Sequence, residues 1–218
     1  MVLRAGDGLV LGADVPPGLS HQRHPIRNLS DTLCVVIHDT WDFGNDLLDE
    51  FLDTSPDLEA PLATIAEGAR DSFGSQCNQL AAQGQPVPRV GFLLAKVTPG
   101  GIPLSEIFGL FVANGFEPKA FLGNLYGGQY IAVARLLDEK LHVFGLPSEH
   151  ILARAALYFA ESRTVAAFRL DSDTSLAVIT VQNGFQLLSQ EQVGELLTAA
   201  ARVSERIFAH VGTAFYGE

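Results

Sequence analysis

Apolar residues fall into short unbroken runs and into helical spacing, and the switches between the two mark out the elements. Val2 and Leu3 read as a short strand. Asp7-Gly8 is a turn signal of the kind that joins antiparallel strands. Leu9-Val10-Leu11 follows as a buried strand that ends on Gly12-Ala13-Asp14. Pro16, Pro17, Gly18 and Pro25 make 15–25 a loop. Leu33-Cys34-Val35-Val36-Ile37-His38 is a β-rich strand. Leu47, Leu48, Phe51 and Leu52 have helical spacing after Gly44-Asn45-Asp46. Beyond Ser55-Pro56, Leu58–Leu80 reads as one longer helix with Leu62, Ile65, Ala69, Phe73 and Cys77 on a single face.

The second half repeats this alternation of classes. Val90–Val97 is a buried strand, turned by Pro99-Gly100-Gly101. Ile107–Ala113 is the next, and Asn114-Gly115 predicts a hairpin with Phe116–Leu122 pairing back. Tyr130–Leu141 predicts a helix, and Ser148 after Pro147 reads as the N-cap of another. Val165–Leu170 is a candidate short strand. Ser175–Val181 is a strong strand, turned by Asn183-Gly184 into Phe185–Leu188, and Ser189 caps a last helix that runs to about His210. Strands, two helices, strands, two helices, strands and a helix suggest two stacked sheets with helices outside, as one α+β domain over 1–218.

Composition narrows the functions open to such a fold. The 218 residues are 47% apolar, ample for a core, and carry a net charge of −11. That charge argues against binding nucleic acid through phosphates and against an anionic membrane surface. No run of about 18 apolar residues is present, and no charged segment leads into an apolar one as in a signal peptide, so a cytoplasmic protein is expected. Two cysteines, Cys34 and Cys77, are too few for a disulfide scaffold. Cys34, inside an apolar strand, reads as a buried inert thiol.

Candidate chemistry is sparse. Asp14 at a strand end is either a turn residue or a site carboxylate. His21 and His24 share the Pro-rich loop but read as a surface pair, so no metal site and no cofactor is expected. His38-Asp39-Thr40-Trp41-Asp42 closes a strand, where His and Asp suit acid–base work and Trp41 suits loop packing. Asp171 and Asp173 read as a solvated turn. Gly123–Gly128 does not match a phosphate loop, and no Gly-x-Ser-x-Gly elbow exists.

A strand, Asp7-Gly8 and an apolar strand ending in Ala13-Asp14 resemble the opening of proteasome-type subunits of the N-terminal-nucleophile hydrolase superfamily. Gly44-Asn45-Asp46, Gly123 and the stretch Leu176–Leu197 match the same family in order. The resemblance covers roughly residues 2–197 and implies a four-layer αββα sandwich of two mainly antiparallel sheets. It implies site residues too. Asp14 matches the Asp that positions a catalytic Lys. Asn124 stands where the family has Ser. Asp171 with Thr174 matches an Asp-x-x-Ser, with Ser162–Thr164 competing for that alignment.

The family's nucleophile is an N-terminal Thr whose own amine is its base. Met1-Val2-Leu3 offers none, and Ser20 is the first hydroxyl in the chain. The family's Lys should lie within 26–30, where Arg27 is the only cation and cannot act as a tuned amine. The expectation is a non-catalytic subunit that assembles with itself as a scaffold or chamber, with its partners otherwise unknown. Two alternatives stand beside it. One is an amide hydrolase with an internally exposed nucleophile, Thr32 or Cys34. The other is a ligand-binding protein using the Pro-rich loop and the cleft around Trp41.

Overall fold

The structure is a computed structural model that describes residues 1–15, 23–99, 104–125, 145–164 and 173–216. β1 (Val2–Arg4) and β2 (Gly8–Val15) form a hairpin. β3 (Ile26–Asn28) and β4 (Leu33–Asp39) form a second. Two helices follow, α1 (Trp41–Asp53) and α2 (Leu62–Ala82). Next come β5 (Val90–Thr98), β6 (Leu104–Phe111) and the two-residue β7 (Lys119–Ala120). Then come α3 (Ser148–Thr164), β8 (Asp173–Thr180), β9 (Gly184–Leu187) and α4 (Gln190–Tyr216). The predicted helix Tyr130–Leu141 and strand Val165–Leu170 lie outside the described residues.

The strands make two antiparallel sheets, ordered β1-β2-β8-β9 and β3-β4-β5-β6-β7. Strict alternation in the central strands builds the layers. On β4 and β5, Leu33, Val35, Ile37, Phe92 and Leu94 face α1 and α2, where Phe51, Ile65, Ala69 and Phe73 meet them. The opposite faces, with Cys34, Val36, Leu93 and Ala95, meet Leu9, Leu11, Ala177 and Ile179 of the other sheet. Val10, Leu176 and Val178 turn outward onto Ile151, Ala155 and Tyr158 of α3 and Val193 of α4. The result is the four-layer αββα sandwich.

Local chemistry departs from the sequence reading in three places and agrees with it in a fourth. α2 begins at Leu62 rather than Leu58, because Lys96, itself buried, draws the Leu58 and Ala60 carbonyls onto its ammonium at 3.0 and 2.7 Å. β6 stops at Phe111 and the chain turns through a 3₁₀ segment, Val112–Asn114, instead of an Asn-Gly hairpin. The cause is Phe116, which leaves the sheet with φ +60° to bury its ring against Phe73 at 5.5 Å. The cap of α3 is not Ser148 itself. Asp7, in the β1–β2 turn, accepts from the Ser148 backbone N–H at 2.8 Å and its hydroxyl at 2.9 Å, setting a carboxylate at the positive end of that helix. Ser189 does cap α4, in a reciprocal box: its Oγ accepts from Gln192 N at 3.2 Å, and its own N–H donates to Gln192 Oε1 at 2.9 Å.

Arg4 bolts the two sheets together at the end of β1. Its guanidinium donates to Ser105 O, to Ser105 Oγ at 2.8 Å and to Phe121 O at 2.7 Å. Arg4→Met keeps the apolar stem and strips three acceptors of a charged donor. A loss of about 2 kcal/mol is expected, since bonds to charged groups contribute ~1.5–3 kcal/mol and water can reach part of this site. Urea unfolding would measure it, and a midpoint equal to that of the parent would show that the bolt carries no load.

Candidate functional site

β2 and β4 end side by side at one edge of the sandwich. There the tips of the two strands, the start of α1 and the middle of α3 enclose a half-open cavity of about 170 Å³. Gly12, Ala13 and Asp14 come from β2; Val36, His38 and Asp39 come from β4. Trp41 stands at the first position of α1, and Tyr158 and Phe159 form the α3 wall. Asp14 and His38 are thus brought into one site from separate strands. Sequence reasoning singled out each alone, and no signal linked them.

Gly12 is closely packed where it stands. A Cβ there would lie 2.6 Å from the Phe159 ring and 2.8 Å from the Met1 methyl, so any side chain at this position must displace the Phe159 ring and the end of Met1. The Met1 amine donates to Gly12 O at 2.8 Å, and Gly12 N donates back to Met1 O at 3.0 Å. Burial pushes that amine down to about 5, opposed in part by the negative charge of Asp14. Asp14 faces buried Thr174 across the β2–β8 ladder.

His38 and Asp39 form the mouth. Nδ1 of His38 lies 3.0 Å from Asp39 Oδ2, an ion-pair distance without hydrogen-bond alignment. Asp39 adopts φ +65°, a left-handed conformation that costs a non-glycine residue energy and that clusters at functional sites. Arg89 approaches the same carboxylate from outside at 3.9 Å, its own side chain in solvent.

The remaining candidates lie elsewhere. Arg27 turns to α1, donating to Asn45 Oδ1 at 3.1 Å and Asp49 Oδ1 at 2.5 Å. The residue near the expected Lys position that does line the cavity is Pro25, which has no amine. Thr32 precedes β4 at the far end from His38, 3.4 Å from Ser30 Oγ. Asn124 accepts from Arg4 N at 2.8 Å, a brace for β1. Ser162 is buried in α3 and donates to Tyr158 O at 2.7 Å, while Thr164 is the last residue of that helix. Asp171 and His21 lie outside the described residues. His24 contacts Ser175 Oγ through Nε2 at 2.8 Å, while its Nδ1 lies 3.0 Å from Ile26 N and 2.9 Å from Ile26 O. Among the described residues no cluster suits a metal ion, and no helix is long and apolar enough to cross a membrane.

Cys34 is fully buried between the sheets, 3.5 Å from Ala95 O, and desolvation raises its thiol far above the ordinary range. A thiol reagent is expected to leave Cys34 unmodified in the folded protein and to modify it at once in urea. Labelling of Cys34 in the native protein on the timescale of a free thiol would contradict this burial.

No family model and no curated protein matches the chain. A solved structure does. Anbu (ancestral beta-subunit) from Yersinia bercovieri superposes with a TM-score of 0.68 at 10% sequence identity, over 95% of this chain and 95% of that one. At that identity the likeness is one of architecture, and the chain has the αββα sandwich fold of a proteasome-like subunit.

Proposed function

We propose that the chain is a non-catalytic proteasome-like subunit, a single unit that self-assembles as a scaffold or chamber. The observation that carries this reading is the lining of the cavity at the strand tips. Among its described residues there is no Lys, and Pro25 stands beside Asp14 with Arg27 committed to α1. Met1, which fills the remaining side, brings no hydroxyl or thiol. Among the described lining residues no lysine is there to tune an N-terminal nucleophile.

The internally exposed nucleophile finds little support. Cleavage before Thr32 or Cys34 would remove β1 and β2, half of one sheet, and would leave Cys34 between the sheets.

Assembly rests on the fold and on the neighbour being itself a subunit by name. The broad apolar face of α1 gives it no help, because Leu47, Leu48 and Phe51 are consumed inside the chain. Native mass spectrometry at ordinary ionic strength tests the whole reading. The expected result is an oligomer of uncleaved chains that does not turn over fluorogenic peptides. A clean monomer would end the scaffold reading. Turnover blocked by a Thr-directed inhibitor would end the non-catalytic one.

A further inference from the structure

Each sheet has two edges, and among the described residues all but one of these edges are guarded. The outer side of β1 is covered: Val2 exchanges backbone hydrogen bonds with Leu125 at 2.8 Å, and the Arg4 N–H donates to Asn124. β3 is preceded by Pro25 and carries Arg27, and β7 is preceded by Pro118 and carries Lys119. Prolines and charges of this kind keep an edge from pairing with another chain. β9 has neither. It pairs with β8 on one side, and no described residue bonds to its other side.

The ladder fixes what that free side offers. Leu188 N donates to Leu176 O at 2.9 Å, so Leu188, Gln186 and Gly184 turn their backbone groups inward to β8. The N–H and C=O of Phe185 and Leu187 therefore point away from the sheet. The side chains of these two share a face, since they stand opposite Ile179 and Ala177, which lie between the sheets. Phe185 is half-buried there, but Leu187 is 41% exposed at the rim.

We propose that β9 is the surface at which two copies of this chain join, strand against strand and antiparallel, about a two-fold axis at Gln186. The contact presupposes the self-association proposed above and gives it a surface. Its register is self-complementary, as a two-fold contact requires. Phe185 comes to stand opposite Leu187 of the second copy, and Leu187 opposite Phe185 of that copy. Each such pair exchanges backbone N–H···O bonds, and the exposed Leu187 gains a phenyl ring to cover it. Charge favours a second copy here over any other part of the surface. Each chain carries −11 and repels its like, so the contact has to fall where the chain is neutral, and 174–190 holds no charged residue. Asp31 is the acidic residue beneath β9, its backbone oxygen 3.4 Å from where a Gly184 Cβ would lie. The two Gly184 residues of such a pair stand roughly 13 Å apart along the strands, beyond the ~8 Å that physiological salt leaves unscreened.

Gln186→Cys tests the register directly. The pair at the axis is the close, non-hydrogen-bonded kind, with Cα atoms ~4.5 Å apart, inside the range that a disulfide spans. The native Cys34 and Cys77 are both buried. In oxidised glutathione, Gln186→Cys is expected to form a disulfide-linked dimer at least tenfold faster than Gln182→Cys, which is also exposed but lies in the turn before β9. Leu187→Lys is expected to weaken the contact at least tenfold. At micromolar concentration it should then sediment at no more than half the mass of the parent assembly, with its far-UV circular dichroism unchanged. Cross-linking of Gln186→Cys no faster than that of Gln182→Cys, or a folded Leu187→Lys that assembles like the parent, would overturn the proposal. Should Leu187→Lys not fold, the cross-linking comparison decides alone. An oligomeric parent with neither effect would strike this contact and leave the scaffold reading standing, whereas a monomeric parent would strike both.

Discussion

Phe73→Ala is expected to cost about 3–5 kcal/mol, the range for truncating a buried aromatic without collapse of the site. Phe73 is fully buried on α2 and touches three other rings: stacked on Phe92 at 4.3 Å, and edge-on to Phe116 at 5.5 Å and Phe51 at 6.0 Å. These four side chains come from α1, α2, β5 and the turn after β6, so one ring joins both helices of the outer layer to the sheet beneath. A void there would be hard to fill, because Phe92 and Phe51 are themselves held by the sheet and by α1. The loss compares with a total stability of ~5–15 kcal/mol for a typical domain. Urea unfolding followed by far-UV circular dichroism would measure it. A cost under about 1 kcal/mol would mean that Phe51 and Phe116 relax into the gap and that the cluster is not rigid.

The second large effect is a loss of stability in mild acid. The Met1 amine sits at about 5 when folded against a reference of 8.0, with burial the main cause. Above pH 8 it is neutral in both states and contributes no difference. As pH falls the unfolded chain takes up a proton that the folded protein refuses, so the unfolded state gains. Stability therefore rises with pH between about 5 and 8, by up to ~1.4 kcal/mol per unit, approaching ~4 kcal/mol across the window. The comparison uses protein whose Met1 carries a free amine, unfolded by urea at several pH values in that window. Calorimetric unfolding at pH 6.5 in buffers of different ionisation enthalpy would count the proton taken up. A flat or falling stability from pH 5 to 8, with no proton uptake, would show that the amine is solvated.

What was legible in the sequence was whatever depends on neighbours along the chain. β4 and β5 read correctly because both faces are buried, and the residues form runs that need no partner to be recognised. α4 read correctly because Ser189 and Gln192 sit three apart and satisfy each other. Only the last residue of β2, Val15, did not, because the prolines that follow mark a loop while pairing with Asp173 of β8 holds Val15 in the strand. The displaced start of α2 and the widened turn at Asn114-Gly115, beyond which only Lys119–Ala120 pairs back with β6, share a cause. A distant side chain, Lys96 in one case and Phe73 in the other, outbids the local propensity. The candidate site was half legible. Asp14 and His38 each stand out at a strand end, yet their meeting follows from how two sheets stack, which no spacing encodes. Asp7 was read as a turn residue, and its service to α3 lies 141 positions away.

The pairing of β2 with β8 also governs the order in which the chain can be built. The five-stranded sheet is drawn from one continuous stretch, 26–120, and its helices α1 and α2 lie within that stretch. It is free to form as soon as that stretch leaves the ribosome. The four-stranded sheet joins residues 8–15 to 173–180 and waits until that later strand has been made. Closing so long a loop is slow, since its entropy is lost before its contacts form. Until then the face of Cys34, Val36, Leu93 and Ala95 lacks the cover that Ala177 and Ile179 of β8 give it in the finished fold. The nascent chain is then a half-sandwich whose exposed side matches its own missing half, or that of a neighbouring chain.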